Sequence, residues 1–515
     1  MEPATEPRRP KLAGWGYEGD GLRADEREAL TRTLRAAFPD APLRRARPPA
    51  QAELTASRIG PPRGLEELVT ADPRERALHA LGKGYPDLVR AFRGEFPHAP
   101  DLVAYPADEV DVARLLDWAS EARVAIVPFG GGSSVVGGVE PDVGDAYRAA
   151  VSLDLARLGR VLEVDEVSRA ARVQAGTRGP SLEQQLAAYG LTFRHYPQSF
   201  EHSTVGGWIA TRSGGHYATG RTHVDDFVEG LRVITPRGAL ETRRLPATGA
   251  GPDANGLFCG SEGTLGVIVD AWLRVQERPE RRATATMAFP TFLEGAAGVR
   301  RIVQAGLQPA SCRLLDPVEA LTSRSGDGSG AVLVLAFEAS GFDPEPLLRD
   351  ALEVAGGARI EREAGARWRE AFLRLPYVYE EIVALGLLTG TFETAVTWDR
   401  FPALHDHVSR ALARAGDGAI VSCRLAYAYP DGPAPYFTLV APAPAGTELE
   451  QWRDVKAAAS EAILACGGTI THHHAVGREH RSWYAEEAAP LVLDALRAAK
   501  RELDPAGVMN PGVLL

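Results

Sequence analysis

The sequence predicts an α+β protein built around two main domains, and three observations carry that expectation. The chain has 515 residues, more than one simple core accommodates. Between residues 101 and 275, short β-type runs alternate with turn residues, and glycine- and hydroxyl-rich loops border several of them. From residue 279 onward, strands and amphipathic helices take turns, the texture of a second α+β unit. The expected division is a leader over 1–95 packing on the body, a first domain over 96–278, and a second over 279–480. A helical segment over 481–515 is expected to return to the first domain.

The elements follow in order. The leader is rich in Arg, Pro and Ala and carries only short helical patterns. Leu102–Tyr105 reads as a strand. Pro106 then opens a helix whose apolar positions, Val112, Leu115, Leu116 and Ala119, fall at i, i+3, i+4 and i+7. Val124–Val127 is the next strand, followed by Val151–Leu155, Val161–Val164 and Ala170–Ala175. Ser181-Leu182-Glu183-Gln184 reads as a capping-box helix start, and Gly190 as that helix's end. Leu231–Thr235 and Ala239–Thr242 flank Pro236-Arg237-Gly238 as a hairpin. In the second domain, strands are expected over Thr284–Phe289, Ala331–Phe337, Phe437–Val440 and Gly468–His474, with helices over Phe292–Ala305 and Pro346–Ala355. The amphipathic stretch Leu491–Leu503 stops at Asp504-Pro505.

Composition narrows the function. Lys and Arg number 57 against 68 Asp and Glu, for a net charge of −11. Nucleic-acid binders show the opposite balance, so no nucleic-acid partner is expected. Cys259, Cys312, Cys423 and Cys466 form no C-x-x-C pair, which excludes a zinc ribbon or thioredoxin motif. Few, scattered thiols suit a reducing, cytoplasmic location. The opening residues lack the apolar core of a secretory signal. The longest plain apolar run, Ala331–Phe337, is far short of a membrane span. Peripheral contact with a membrane surface and a homodimer are both left open.

Three loops carry the binding chemistry. Pro128-Phe129-Gly130-Gly131-Gly132-Ser133-Ser134 follows a strand, where its glycines let backbone N–H groups converge on an anion. No Gly-Lys-Ser/Thr follows, so it is not a P-loop, and no helix opens as in a Rossmann fingerprint. Gln198-Ser199, Ser203-Thr204, Gly206-Gly207 and Thr211-Arg212-Ser213 form a second segment of the same character. Glu262-Gly263-Thr264-Leu265-Gly266-Val267-Ile268 is a third. Any one of these reads equally well as a surface turn. Together they can wrap one long ligand carrying a diphosphate.

His472, His473 and His474 are the candidate acid–base groups. If their run is a strand, His472 and His474 share one face and His473 takes the other. One catalytic histidine with two local hydrogen-bonding ones is the bland alternative. A metal site is a third reading, disfavoured because no nearby carboxylate or cysteine in sequence completes a ligand set. No metal is therefore expected.

The loops, in order and spacing, resemble the FAD-binding domain of the vanillyl-alcohol oxidase superfamily. Within it, the chain resembles the alkyldihydroxyacetonephosphate synthase family. The resemblance rests on Lys11–Tyr17 (K-L-A-G-W-G-Y), Ser203–Trp208 (S-T-V-G-G-W), Val233–Gly238 (V-I-T-P-R-G), Gly260–Ile268 (G-S-E-G-T-L-G-V-I) and Thr471–Gly477 (T-H-H-H-A-V-G). It extends from residue 11 to residue 515. It implies a PCMH-type FAD-binding domain with an α+β cap of the FAD-linked oxidase C-terminal type, and FAD as cofactor. It also implies a small-molecule or lipid substrate. The expected reaction exchanges the acyl chain of acyl-dihydroxyacetone phosphate for a fatty alcohol, in ether-lipid synthesis, through a bond to flavin N5. Tyr436 and Arg313 align with the family's active-site tyrosine and essential arginine. Taken alone, Tyr436 reads as a core residue and Arg313 as a partner for Asp316 or another carboxylate.

One position departs from the family. Upstream of Phe392-Glu393-Thr394 and Trp398-Asp399-Arg400, the family's Arg-Asp pair, whose arginine the resemblance implies holds the substrate phosphate, is replaced by Tyr379-Glu380. A tyrosine gives one hydrogen bond where an arginine gives a charged fork, and Glu380 is expected to repel phosphate. Tyr379 and Arg400 are the substrate-site candidates, with Arg313, Arg374 and Arg400 as compensating cations. The competing readings are an FAD-dependent oxidoreductase that oxidises a 2-hydroxy acid or related alcohol and a non-catalytic flavin-binding protein.

Overall fold

The computed structural model describes residues 8–360 and 364–515, and the side chains of all but 364–371 among them. Residues 1–7 of the expected leader lie outside the described residues. Three main sheets organise the chain. The first runs in the order Val69–Thr70, Leu102–Ala104, Ala149–Asp154, Val124–Phe129, its last three strands parallel. These three are almost wholly buried, which is why they read as unbroken apolar runs. Helix Glu109–Ala122 makes the crossover between two of them. Asp108 caps it by accepting the N–H groups of Val110 and Asp111 at 2.9 and 3.0 Å. Val112, Leu115, Leu116 and Ala119 form its buried face.

The second sheet is antiparallel, in the order Val161–Asp165, Ala170–Gln174, Val267–Arg274, Val228–Thr235, Gly238–Glu241. The helix expected from Ser181 begins two residues earlier, at Gly179, because Pro180 presets the first turn. The Ser181 hydroxyl is not the cap; it accepts from Gln185 Nε2 at 3.0 Å.

The third sheet has seven strands, in the order Ala358–Ile360, Arg281–Phe289, Ala331–Ala339, Ser311–Leu315, Ile420–Ala428, Pro433–Pro442, Leu387–Glu393. Helices Phe292–Gln304, Glu345–Ala355, Phe401–Ala415 and Glu448–Ala465 share its core, placing Val299, Leu348, Leu404 and Ile463 against Leu333, Leu335, Phe437 and Leu439.

Gly468–His474 is not a strand. The backbone N–H groups of His472, His473 and His474 are satisfied by the Glu393 carboxylate rather than by a neighbouring strand. The segment therefore curls around one side chain, and the expected alternation of faces does not hold.

Both ends of the chain fold back. After helix Pro490–Leu503, Ile126 N–H donates to Val508 O and Asn510 N–H to Ile126 O, each at 2.8 Å, along the edge of Val124–Phe129. At the other end, helix Ala24–Ala37 and the following turn pack Leu34 and Phe38 on Ile382 and Leu385. Among the described residues, no helix is long and apolar enough to cross a membrane.

Candidate active site

A cavity enclosing about 1540 Å³, mouth included, lies between the glycine loop and the seven-stranded sheet. Gly130, Gly131, Gly132, Ser133 and Ser134 form one wall at the end of strand Val124–Phe129. A Cβ on Gly131 would stand 2.0 Å from His202 O, and Gly132 has φ +63°. Two backbone segments are pressed together there in a way only glycine permits. Gln198, Ser199, Thr204, Gly207, Thr211 and Ser213 also line the cavity. Thr204 caps helix Val205–Thr211, and Trp208 Nε1 donates to Ser203 Oγ at 2.6 Å, fixing the turn. This wall offers glycine backbone and hydroxyls to a polyanion, as the diphosphate of FAD requires.

The remaining loop residues stand behind the lining. The Phe129 ring packs on His79 at 4.3 Å. Gly206 lies against Ala175, where a Cβ would approach to 2.6 Å. Arg212 turns outward to Asp225 at 2.9 Å. Gly263 abuts Pro128, while Thr264, Leu265, Val267 and Ile268 are buried, as is Glu262. A Cβ on Gly266, which has φ +151°, would stand 2.9 Å from Ile234 O. Glu262 accepts the N–H groups of Val476 and Gly477 at 2.9 and 2.8 Å. Burial pushes its carboxyl up to about 7 despite those bonds. The third loop thus braces the first loop and the segment after the histidines.

The histidines are organised by Glu393, on the edge strand Leu387–Glu393. Its oxygens accept Thr471 Oγ1 at 2.6 Å and the N–H groups of His472, His473 and His474 at 2.5, 3.1 and 2.9 Å. Burial opposes ionisation of Glu393, but the adjacent imidazoles of His473, His474 and His472 together more than offset it and hold the carboxyl well below its ordinary value. Glu393, His472 and His473 each place one ligand atom within 4.8 Å of the others. The carboxylate not found nearby in sequence is thus supplied from the edge strand. Its oxygens are filled by N–H and O–H donors, so the group is arranged as a hydrogen-bonded network.

His473 and His474 line the cavity, together with Tyr436. The Tyr436 ring lies 5.9 Å from His473 and 5.6 Å from His474. Burial pushes the His474 imidazole down to about 3, leaving it neutral at neutral pH. His472 lies outside the lining. Its Nε2 meets Tyr429 Oη at 2.7 Å, its Nδ1 meets His473 Nδ1 at 3.1 Å, and its ring stacks on Tyr427 at 4.9 Å.

Lys83, Arg313, Arg424 and Lys456 line the cavity, and no carboxylate does among the described residues. Arg313 is buried and makes no ion pair among the described residues; it donates to Ala426 O and to His216 O and lies 5.0 Å over the Tyr427 ring. Its expected partner, Asp316, instead caps helix Pro317–Thr322 by accepting Glu319 N–H at 2.7 Å. Arg424 pairs with Glu319 and sits 3.9 Å over the Tyr436 ring.

Tyr379 lines the cavity and donates to Thr389 O at 3.1 Å. Glu380 does not face it. Its carboxylate pairs with Lys11 at 3.0 Å and accepts Trp15 N–H at 2.8 Å, which brings the Trp15 ring into the lining. The expected repulsion of phosphate by Glu380 is thereby corrected. Arg400 is exposed at the start of helix Phe401–Ala415, and Arg374 bonds Glu26 at 2.5 Å; neither reaches the lining. The cations that do reach it and were missed are Lys83, Arg424 and Lys456. For Lys456 a signal existed: it interrupts the apolar stripe Trp452, Val455, Ala459, Ile463 of its helix.

Comparison with known proteins agrees with this geometry. Residues 100–243 match the FAD binding domain family, and residues 278–514 match the C-terminal domain of FAD linked oxidases. The alkyldihydroxyacetonephosphate synthase of Trypanosoma brucei brucei is 30% identical over 483 residues, covering 87% of this chain and 79% of the relative. That of Dictyostelium discoideum is 30% identical over 484 residues, covering 88% and 79%. A solved alkyldihydroxyacetonephosphate synthase structure superposes with a TM-score of 0.80 at 25% identity, covering 99% of each chain. A glycine-walled, cation-lined cavity, two matching FAD-enzyme domains and a relative similar along most of its length lead to one conclusion: this chain is an FAD-dependent enzyme of the alkyldihydroxyacetonephosphate synthase family.

Proposed function

We propose that the enzyme exchanges the acyl chain of an acyl-dihydroxyacetone phosphate for a fatty alcohol. The observation that carries this reading is a lining with four basic side chains and, among the described residues, no carboxylate, which Tyr436, His473 and His474 share. Such a lining suits an anionic substrate and a departing fatty-acid carboxylate. Gly130–Ser134 and the Gln198–Ser213 segment would hold FAD, which supplies an electrophilic ring nitrogen when bound.

The chain's own residues do the rest. His474, which lines the cavity beside Tyr436, is placed to take a proton from C1 of the substrate. Tyr436, packed against both histidines, is placed to pass that proton or to hold a substrate oxygen. Glu393 fixes the histidine backbone, and its carboxylate lies 3.3 Å from His473 Nδ1. Arg313, which donates to two carbonyls but makes no ion pair among the described residues, is the group suited to steady the leaving carboxylate.

The test is incubation of FAD-loaded enzyme with acyl-dihydroxyacetone phosphate and a deuterated fatty alcohol, read by mass spectrometry. Label in an ether product with release of fatty acid is the expected result. No ether product, together with anaerobic bleaching of the flavin by lactate or glycolate, would overturn it in favour of 2-hydroxy-acid oxidation.

A further inference from the structure

Among the described residues, the Lys456 ammonium makes no hydrogen bond, and its one ion-pair partner stands beyond hydrogen-bonding distance. Lys456 is buried, and its closest carboxylate oxygen, on Glu479, is 3.8 Å away. That oxygen has no hydrogen-bond partner either. The ammonium lies 5.5 Å from the Phe392 ring and 5.8 Å from the Trp452 ring, so aromatic faces provide its main support. A buried ammonium that pairs with a carboxylate but hydrogen-bonds to nothing keeps donors to offer a ligand. Burial correspondingly pushes the amine down, and Glu479, itself pushed up by burial, is a poor counter-ion.

The two arginines of the lining already donate hydrogen bonds. Arg313 donates to two carbonyls and Arg424 pairs with Glu319. The backbone N–H of Lys83 binds Ser134 O at 2.6 Å, which seats that residue beside the glycine wall. Tyr379 lines the same cavity as Lys456, but its hydroxyl proton is already given to Thr389 O.

We propose that Lys456 is the phosphate-binding residue of this enzyme, receiving the phosphomonoester of the substrate where position 379 provides no charge. The inference rests on the reading of the substrate given above. An ammonium opposite a phosphate dianion gives a charge-assisted hydrogen bond at the headgroup end of the cavity, with the Trp452 ring behind it. Lys456 thereby sets specificity for phosphorylated over unphosphorylated dihydroxyacetone esters.

The test uses FAD-loaded enzyme and calorimetric titration with dihydroxyacetone phosphate and with dihydroxyacetone. Lys456→Gln is expected to weaken binding of the phosphate ester by about tenfold or more. Lys456→Arg should recover part of it, and binding of dihydroxyacetone should not change. Equal affinity of Lys456→Gln and wild type for the ester would overturn the proposal. So would loss of FAD from Lys456→Gln, which would assign the ammonium to the cofactor's diphosphate. If that variant does not fold, acetylation of Lys456 in the wild-type holoenzyme replaces it. Protection by dihydroxyacetone phosphate supports the proposal, and its absence overturns it. Ether product formed by Lys456→Gln with an unchanged KM would sink this inference and leave the acyl-exchange reading standing. Lys456-dependent binding of the phosphate ester without ether product would do the reverse.

Discussion

The carboxylate of Glu380 reaches the ammonium of Lys11 at 3.0 Å, joining helix Ala364–Ala384 to a segment 369 residues earlier in the chain. Gly14 makes room for it: with φ +96°, a Cβ there would stand 2.3 Å from Glu380 Cδ. Both partners are largely buried, so removing one costs roughly 3 kcal/mol or more. Glu380→Ala should release the segment that carries Trp15 into the cavity. Faster proteolytic cleavage before Ala24 and weaker FAD retention are expected; an unchanged digestion pattern would show that other contacts hold the segment.

The histidines should separate by position. His473→Ala and His474→Ala are expected to lower turnover by roughly 10²–10⁴-fold with FAD still bound. His472→Ala, outside the lining, should cost less. Steady-state kinetics with flavin content measured in parallel checks the order. A larger loss in His472→Ala than in His474→Ala would reassign the proton carrier.

The glycine wall makes a cofactor prediction. Gly131→Ala places a methyl 2.0 Å from His202 O, and backbone must move to admit it. The purified variant should hold well under half the FAD of the wild type, read from the absorbance ratio of flavin to protein. A fully loaded variant would mean that the two loops separate easily.

Glu262 gives a pH signature. Its carboxyl sits at about 7 when folded, against an ordinary value of 4.5. Between those values the unfolded chain has released a proton that the folded chain keeps. Stability from this group therefore falls as pH rises through that window and levels off above it. Glu262→Gln keeps an acceptor for Val476 and Gly477 and removes the titration. The unfolding temperature of the wild type relative to the variant should decline from about pH 5 to about pH 7.5. A constant difference would show that Glu262 does not titrate there.

Much of the first domain was legible in the sequence because its signals are local. The periodicity of Val112, Leu115, Leu116 and Ala119 and the Asp108 cap specify a helix without help from elsewhere. Gly131 and Gly132 announce a backbone approach. The site was harder to read because its decisive contacts are remote. His472–His474 contain no cue that Glu393, on another strand, takes the place of a ladder partner. Glu380 looked hostile to phosphate only because Lys11 and Trp15 lie so far away in sequence. Lys456 stands out as a break in the apolar stripe of its helix, but the cavity that this face lines depends on packing between elements.

The pairing of residues 508–510 with Ile126 has a bearing on cooperativity. It closes a loop that contains the entire seven-stranded sheet. Closure entropy grows only with the logarithm of loop length, so enclosing so large an insert adds little to the cost of the pairing. What it does add is dependence. Val124–Phe129 leads straight into the glycine wall, and peeling away its partner strips Ile126 of both backbone hydrogen bonds a few residues from the cradle. Denaturant that loosens either half should therefore melt the other, with flavin release and loss of helical signal following a single transition.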